Sequence, residues 1–375
     1  MLAYGKMTTE KQSVVGRFGF ALLNMYPSMG TAYMQGMINN IRRVNPNIKL
    51  SQYVLLNEWY GTATPGTDTF PVTTEINNNQ WWVLNAAGQR VQWTSAFGAY
   101  ELNLTQWATT NIGGKRWPQW KAEFDTTTIL RNLTGLNYIF VDNVMWQPRY
   151  DADHMRVGTN QLRSDETIRA AFRSGYTNYF SHLRSLNPSL KLIGNADNDL
   201  SYPEFKGKLN GAFLECQMGK SWSLETWAGW AKMMERYRTA KNNTSSGEVV
   251  FEACGINGAN PAQARYGFAS VLLEDGGYFA YTVSGLSLPY WADEFSAPIG
   301  TPAEAAPTAP NAAGIWMRRY TNGLVLVNPT ASALSIDVGA GYKHIAGTQD
   351  PAVNTGQAAR IVSLPAKSGL ILLKQ

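Results

Sequence analysis

Carboxylate side chains stand at the ends of several apolar runs in this sequence. In LNYIFVDN (136–143), a run of mostly apolar residues leads into Asp142 and Asn143, and LNGAFLEC (209–216) reaches Glu215 near its end. A charge at the end of a buried strand costs free energy unless it is paired or faces solvent. Two carboxylates that share a cleft can cleave a glycosidic bond, because one attacks the anomeric carbon or activates water while the other protonates the leaving oxygen. Asp142 and Glu215 are therefore the predicted catalytic residues.

Polar and aromatic residues stand at the ends of the other apolar runs in the same way. Trp and Tyr offer flat apolar faces that suit sugar rings, while amides and further acids can bind hydroxyl groups. A single carboxylate in such a position is more often a helix cap or a loop anchor, so the prediction depends on the whole set. The predicted substrate-binding residues are Tyr26, Glu58, Trp59, Asn143, Trp146, Asn195, Asp197, Gln217, Glu252, Trp291 and Asp293.

The remaining reactive residue types give little support to other kinds of site. The three histidines (His154, His182 and His344) lie far apart, which disfavours a histidine metal centre or a Ser-His-Asp triad. The run DADH (151–154) lacks the pattern of a calcium loop, and we predict neither a metal nor a cofactor. Strict alternation along the strands, counted from Glu215 and Glu252, places Cys216 and Cys254 on opposite faces, so we expect free thiols.

Eight runs with the character of buried strands must position these residues. Continuous apolar strands that alternate with helical patterns are typical of a parallel sheet covered by helices. Eight such units indicate an α/β fold, a closed (β/α)8 TIM barrel, in which the carboxyl ends of the strands carry the active site. A doubly wound open sheet is the alternative, but no G-x-G-x-x-G motif follows an early run. The predicted strands are 18–26, 48–56, 99–104, 136–143, 190–197, 209–216, 248–254 and 276–282.

The pattern changes near residue 296. Residues 296–314 are rich in Pro and Ala and have little apolar periodicity, as expected of a linker or surface loop. Short β-like runs punctuated by turn residues follow, which indicate a small antiparallel all-β domain. We therefore predict a catalytic barrel over residues 1–300 and a C-terminal β domain over residues 301–375.

Composition excludes some classes of partner. The net charge is +5, but the basic residues are scattered, so the electrostatic footprint of a nucleic-acid-binding protein is missing. No apolar run reaches the length of about 18 residues that a membrane-spanning helix needs. No signal-peptide pattern opens the chain, yet a carbohydrate-processing role predicts a secreted or periplasmic protein. The sequence leaves the oligomeric state open.

Three segments carry a resemblance to a known group of proteins. YIFVDNV at the fourth predicted strand, FLECQ at the sixth and the run LVLVNPT…GTQDPAVNTG…VSLPAKSGLILLK resemble bacterial glycoside hydrolases that have a (β/α)8 barrel and a C-terminal β domain. The strand-four motif is similar to that of retaining α-galactosidases and α-glucosidases and of endo-acting α-1,4-polygalactosaminidases. The resemblance implies that Asp142 is the nucleophile and Glu215 the general acid/base.

This chain departs from the α-galactosidase pattern at two places. It has Glu rather than Asp on the sixth strand, and it lacks the KYD sequence before the nucleophile. The sequence therefore leaves the stereochemical outcome, retention or inversion, open.

We predict a glycoside hydrolase that acts on a polysaccharide or oligosaccharide. Two other classes remain open at this stage. One is a non-catalytic carbohydrate-binding barrel, which the same aromatic residues would serve. The other is a polysaccharide lyase, which needs a Tyr or His base and a cation to neutralise a uronate, and which the scarcity of histidine disfavours.

Overall fold

The computed structural model describes most of the chain. Two predicted binding residues, Tyr26 and Asp197, and the DADH run lie outside the described residues. The described ranges are 2–3, 6–23, 30–85, 87–92, 94–95, 98–148, 166–196, 199–256, 258–284, 286 and 288–375.

The larger sheet contains eight strands, and their hydrogen-bonded order follows their order in the chain. Its registered strand pairs are parallel. Parallel strands joined in this order through helices form a (β/α)8 TIM barrel, which confirms the predicted fold class. The strands are β1 (Leu2–Ala3), β2 (Phe20–Leu23), β3 (Lys49–Leu55), β6 (Tyr138–Asp142), β7 (Lys191–Asn195), β8 (Gly211–Met218), β9 (Glu248–Gly255) and β10 (Gly277–Val283).

One predicted barrel strand lies elsewhere. The run AYELNL contributes β5 (Ala99–Glu101), which pairs antiparallel with β4 (Glu58–Tyr60) in a separate two-stranded sheet. Only residues 99–101 of the run are extended, and the half-buried Tyr100 lies between the buried Ala99 and Glu101. The short β1, which was not predicted, pairs with β2 and takes the first place in the barrel sheet. The barrel sheet thus gains one strand that was not predicted and lacks one that was. Asp142 therefore still ends the fourth strand, and Glu215 still lies in the sixth.

The helices have the apolar stripe that covers a sheet. In α2, Met34, Met37, Ile38 and Ile41 are buried, and this spacing of three and four residues places them on one face. The α-helices are α1 (Thr9–Gly16), α2 (Ala32–Val44), α3 (Phe70–Asn79), α4 (Trp117–Phe124), α5 (Glu166–Leu186), α6 (Leu224–Ala228), α7 (Trp230–Asn243) and α8 (Pro261–Leu272).

The C-terminal sheet has five strands in the order β11-β12-β15-β13-β14, with antiparallel pairing. This arrangement confirms the predicted antiparallel β fold of the C-terminal part. Its core is built from apolar residues that include Leu324, Leu326, Leu370 and Leu372. The strands are β11 (Trp316–Tyr320), β12 (Gly323–Asn328), β13 (Leu334–His344), β14 (Ala358–Leu364) and β15 (Ser368–Lys374).

The chain divides into two compact units. We call residues 2–213 with 239–247 the N-terminal unit, and residues 214–238 with 248–375 the C-terminal unit. The C-terminal unit therefore contains β9, β10 and α8 as well as the C-terminal sheet. The domain boundary at residue 300 stays a prediction. Within the described ranges, no helix combines the length and the apolarity needed to cross a membrane.

Candidate active site

The Asp142 carboxylate is held by three hydrogen-bond donors in the N-terminal unit. The Tyr53 hydroxyl donates to Oδ2, while the Asn195 side-chain amide and the Asn143 backbone N–H donate to Oδ1, each at 2.9 Å. Tyr53 lies within β3, Asn143 directly follows β6 and Asn195 ends β7, and these three strands are neighbours in the sheet. Hydrogen bonds of this kind fix the orientation of a carboxylate. Asp142 is half-buried, so the group is fixed without being sealed in the core.

Asn143 turns the chain sharply after β6. Its φ angle of 52° lies in the left-handed region, which Asn adopts more readily than most residues. The turn directs its side-chain amide to Glu58 Oε1 at 3.1 Å, and its carbonyl oxygen accepts a hydrogen bond from the Tyr176 hydroxyl at 2.5 Å. Glu58 and Asn143, which lie 85 residues apart in the chain, thus belong to one network with Asp142.

Trp146 forms an aromatic pair beside the same strand end. Its ring stacks on that of Tyr202, with centroids 5.7 Å apart and planes 6° apart. Arg169 lies 5.2 Å from the Trp146 ring centroid, and Arg173 lies 4.5 Å from that of Tyr202. Both rings are half-buried, so the pair is a rigid platform with part of its surface open.

Two acidic residues hold Arg173, the cation beside the Tyr202 ring. Arg173 forms ion pairs with Glu166 at 2.7 Å and Glu204 at 2.9 Å, and it also donates to the Trp146 carbonyl oxygen. The hydrogen bond from Arg173 lowers the pKa of Glu166. The platform is thereby fixed to α5.

Trp59 lies in the core rather than on an open surface. Its side chain is 1% exposed, its indole N–H donates to Thr73 Oγ1 at 3.1 Å, and its ring contacts that of Trp117. A ring without an open face cannot stack on a sugar. We therefore leave Trp59 out of the substrate-binding set and assign it to packing.

The two cysteines form a disulfide, with Cα atoms 5.1 Å apart, so the prediction of free thiols is wrong. The error came from assuming strict alternation along β8. Cys216 has a φ angle of 39°, and this left-handed residue interrupts the alternation and allows its sulfur to reach Cys254 on β9. Glu215, directly before this turn, is exposed.

Glu252 is buried beside the disulfide. Its side chain accepts hydrogen bonds from the Thr282 hydroxyl at 2.5 Å and from the Cys216 backbone N–H at 3.4 Å, and the residue is 5% exposed. Gln217, also buried, donates to the Glu215 carbonyl oxygen at 3.0 Å. Among the described residues, its side-chain Oε1 has no hydrogen-bond partner.

A metal site at this point is not supported. Cys216, Glu252 and Cys254 bring one possible ligand atom each within 4.8 Å of one another. However, metal binding needs thiolates, and these two sulfurs are bonded to each other. The chemistry of the donor set therefore does not fit a metal.

Trp291 and Asp293 contact the loop that follows β13. Asp293 accepts hydrogen bonds from the backbone N–H groups of Thr348 and Gln349 at 2.8 and 2.9 Å. The Gln349 side chain donates to the Trp291 carbonyl oxygen. Both residues therefore anchor the loop after β13 within the C-terminal unit.

Sequence reasoning missed Tyr53, Tyr176 and Arg173. Tyr53 carried a weak signal, because a phenol inside the apolar run IKLSQYVLL needs a partner for its hydroxyl. Tyr176 and Arg173 lie in a helix that looked purely structural. Their roles depend on contacts with residues 33 and 27 positions away.

The sequence matches hypothetical glycosyl hydrolase family 15 (GHL15) over residues 42–324. No curated protein matches the chain.

Three similar solved structures share the fold at low sequence identity. The type III pullulan hydrolase from Thermococcus kodakarensis is 12% identical to this chain, with a TM-score of 0.54. The match covers 100% of this chain and 75% of that one. Amy13B from Eubacterium rectale is 13% identical, with a TM-score of 0.53 over 98% and 90% of the two chains. An Anoxybacillus α-amylase is 9% identical, with a TM-score of 0.52 over 98% and 89%.

Proposed function

This chain belongs to hypothetical glycosyl hydrolase family 15 and is a glycoside hydrolase, and we propose that it cleaves its glycan with Asp142 as nucleophile and Glu215 as general acid/base. The substrate is a carbohydrate, which we propose to be a polysaccharide or oligosaccharide. Hydrolysis then takes precedence over the lyase and non-catalytic alternatives.

The observation that carries the proposal is the set of three donors around Asp142. A nucleophilic carboxylate must be held in one orientation, and donors from a hydroxyl, an amide and a backbone N–H hold Asp142 in this way. Asp142 is half-buried, so its carboxylate is not sealed in the core.

Glu215 has the position expected of a proton donor on a barrel strand. It lies in the sixth strand, near the carboxyl end where barrel enzymes carry their catalytic groups. Its side chain is exposed, while the next residue is cross-linked to β9. The backbone that carries this carboxyl group is therefore fixed.

The proposed reaction has two displacements. In the first, an Asp142 oxygen bonds to the anomeric carbon while the bond to the leaving oxygen breaks and Glu215 donates its proton to that oxygen. In the second, Glu215 takes a proton from water, whose oxygen attacks the same carbon and releases Asp142. Two inversions at one carbon give overall retention.

The remaining proposed substrate contacts fall in both units. In the N-terminal unit, Glu58, Asn143, Asn195 and Trp146 surround or follow Asp142, and their amides, carboxylate and ring suit sugar hydroxyls and faces. In the C-terminal unit, the proposed contacts are Gln217, Glu252, Trp291 and Asp293. We propose that Glu252 contributes by positioning Cys216 and Thr282, to which it is hydrogen-bonded. Tyr26 and Asp197 are proposed from the sequence alone.

The test uses Asp142→Asn and Glu215→Gln, with release of reducing ends measured on a panel of glycans. We expect each variant to lose several orders of magnitude in kcat while retaining the wild-type thermal transition. Glu235→Gln, an exposed acid in α7, is the matched control and should keep full activity. NMR of the first product should show the anomeric configuration of the substrate. Wild-type turnover by either active-site variant would defeat the assignment.

The disulfide supports the proposed secreted or periplasmic location. Disulfides persist in oxidising compartments and are rare in the cytosol, and Cys216–Cys254 lies next to the proposed acid/base. Thiol alkylation of protein taken from its native compartment should find both cysteines protected. Free thiols in that sample would contradict the location.

A further inference from the structure

A cavity lies beyond β9 in the C-terminal unit. It has a volume of about 370 Å³, which is within the range of small-molecule sites (about 300–1,000 Å³). Ile256 and Pro261 supply apolar surface, while Asn260, Gln263 and Tyr281 supply polar groups. The cavity begins two residues after Cys254, at the carboxyl end of its strand, which is the functional end of a barrel strand.

The polar groups of this cavity are neutral. Tyr281 donates its hydroxyl to Gln263 Oε1 at 2.7 Å and accepts the Asn260 backbone N–H at 3.3 Å. These bonds leave the Gln263 amide NH2 group without a partner among the described residues. Burial raises the pKa of Tyr281, so its hydroxyl remains protonated at neutral pH. The described residues that line the cavity include no charged side chain, which favours a ligand rich in hydroxyl groups over an ion.

Two tryptophans lie exposed on the segment that follows β8. Trp222 is 58% exposed and Trp227 is 67% exposed. The Trp227 indole N–H donates to the Trp222 carbonyl oxygen at 3.2 Å, so the two residues are held side by side. Exposure of large aromatic residues costs free energy in water, and flat indole faces match the apolar faces of sugar rings.

The chain between β8 and the two tryptophans passes close to the end of β9, where the cavity begins. A Cβ atom placed on Gly219 would lie 1.8 Å from the Cys254 carbonyl oxygen and 2.8 Å from Gln263 Nε2. Lys220 Nζ donates to the Gly255 carbonyl oxygen at 3.4 Å. The Ser223 hydroxyl donates to the Cys216 carbonyl oxygen at 2.5 Å, which ties the segment to the disulfide as well.

We propose that this cavity and the Trp222–Trp227 pair form an additional saccharide-binding subsite for neutral sugar units of an extended glycan. Neutral amide and phenol groups would bind the hydroxyls of one unit in the cavity, and the indole rings would stack on neighbouring units. The inference rests on the proposed function, because it assigns the glycan as the substrate that Asp142 and Glu215 cleave. It adds that affinity depends on the number of sugar units in the glycan, and not only on the unit at the cleaved bond.

The test measures binding without turnover, by isothermal titration calorimetry in the Asp142→Asn background. The probes are maltohexaose, cellohexaose, xylohexaose and chitohexaose, each with its disaccharide. Adding Trp222→Ala and Trp227→Ala together should weaken binding of a recognised hexasaccharide about tenfold or more, which corresponds to about 1.4 kcal/mol. Gln263→Leu should weaken it by a similar factor, and the disaccharide affinity should not change. The matched control is Ile361→Ala, which removes an exposed apolar side chain from the C-terminal sheet and should leave every affinity unchanged.

Equal hexasaccharide affinity with and without the two tryptophans would overturn the subsite, as would a panel in which no hexasaccharide binds. Failure of the catalytic assignment would look different. In that case Asp142→Asn would still cleave the bound glycan, whereas the tryptophan dependence of affinity would persist.

Discussion

At the scale of single residues, the environment of Asp142 is the most informative feature. Its two oxygens are both occupied by donors, and one of these, the Tyr53 hydroxyl, comes from the strand next to β6. A hydrogen bond to a charged group contributes about 1.5–3 kcal/mol. Loss of the Tyr53 hydrogen bond should therefore slow the chemical step.

Tyr53→Phe removes this donor and keeps the ring. We expect kcat to fall about ten- to a hundredfold, with little change in KM, because Tyr53 acts through Asp142. Steady-state kinetics on the cleaved glycan would measure the split. Tyr237→Phe is the matched control, since the buried Tyr237 hydroxyl has no partner among the described residues. Equal kcat in wild type and Tyr53→Phe would contradict the role.

The Cys216–Cys254 disulfide makes a second residue-scale prediction. The two residues are 38 positions apart, and a cross-link of that span restricts the unfolded chain by about 4 kcal/mol on the loop-entropy estimate. Cys216→Ser with Cys254→Ser should lower the melting temperature, and a reductant should lower it only in the wild type. Because the left-handed turn at Cys216 carries Glu215, activity should fall as well. An unchanged melting temperature under reducing conditions would count against the cross-link.

At the scale of elements, α4 contains a buried ion pair at its junction with a π-helical turn (Asp125–Ile129). Lys121 and Asp125 are both fully buried and bonded to each other, and the Tyr179 hydroxyl donates to Asp125 Oδ2 at 2.5 Å. Burial lowers the pKa of Lys121 and raises that of Asp125. The pair therefore depends on both partners, since either charge alone would be stranded in the core.

Asp125→Asn should destabilise the protein by about 3–5 kcal/mol, because it leaves a buried lysine without a counter-charge. Chemical denaturation would measure this loss. The double variant Lys121→Met/Asp125→Asn removes both charges and keeps a group that can accept the Tyr179 hydroxyl, so it should be more stable than the single variant. A single variant as stable as the wild type would show that the pair is not needed.

At the same scale, some strands can be predicted from local sequence patterns alone, and others cannot. The long apolar runs at 136–143, 209–216 and 248–254 became barrel strands, because strands covered on both faces need continuous apolar residues. The run at 99–104 did not, and its residues 99–101 instead pair antiparallel with β4. The helical region after β8 is divided into α6 and α7 at Gly229, whose φ is 86°.

At the scale of the whole molecule, the C-terminal sheet packs on a barrel helix within the C-terminal unit. Arg265 of α8 bonds to Glu294, to Asp350 and to the Gly369 carbonyl oxygen. A Cβ atom on Gly369 would lie 2.7 Å from Ala269 Cβ, so glycine is needed for the close approach of β15 to α8. The sheet is thereby part of the folding unit that carries β9.

Gly369→Ala should destabilise the C-terminal unit by about 1–3 kcal/mol through overpacking. Gly36→Ala is the matched control, because nothing lies within 4 Å of a Cβ at that helical position. That control should be neutral or stabilising by up to about 1 kcal/mol. Thermal unfolding measures the stability of both variants. Equal melting temperatures would refute the close packing of β15 on α8.

The sequence by itself determined the barrel, the antiparallel C-terminal sheet and the candidate acids at the strand ends, because burial and turn chemistry leave local periodic patterns. Tertiary structure alone decided which groups meet. The Tyr53 and Asn195 bonds to Asp142, the link from Asn143 to Glu58 and the disulfide join residues 38 to 89 positions apart. They depend on strand register and on two left-handed residues, Asn143 and Cys216. No local pattern reports such geometry, since a single φ angle reverses the direction in which a side chain points.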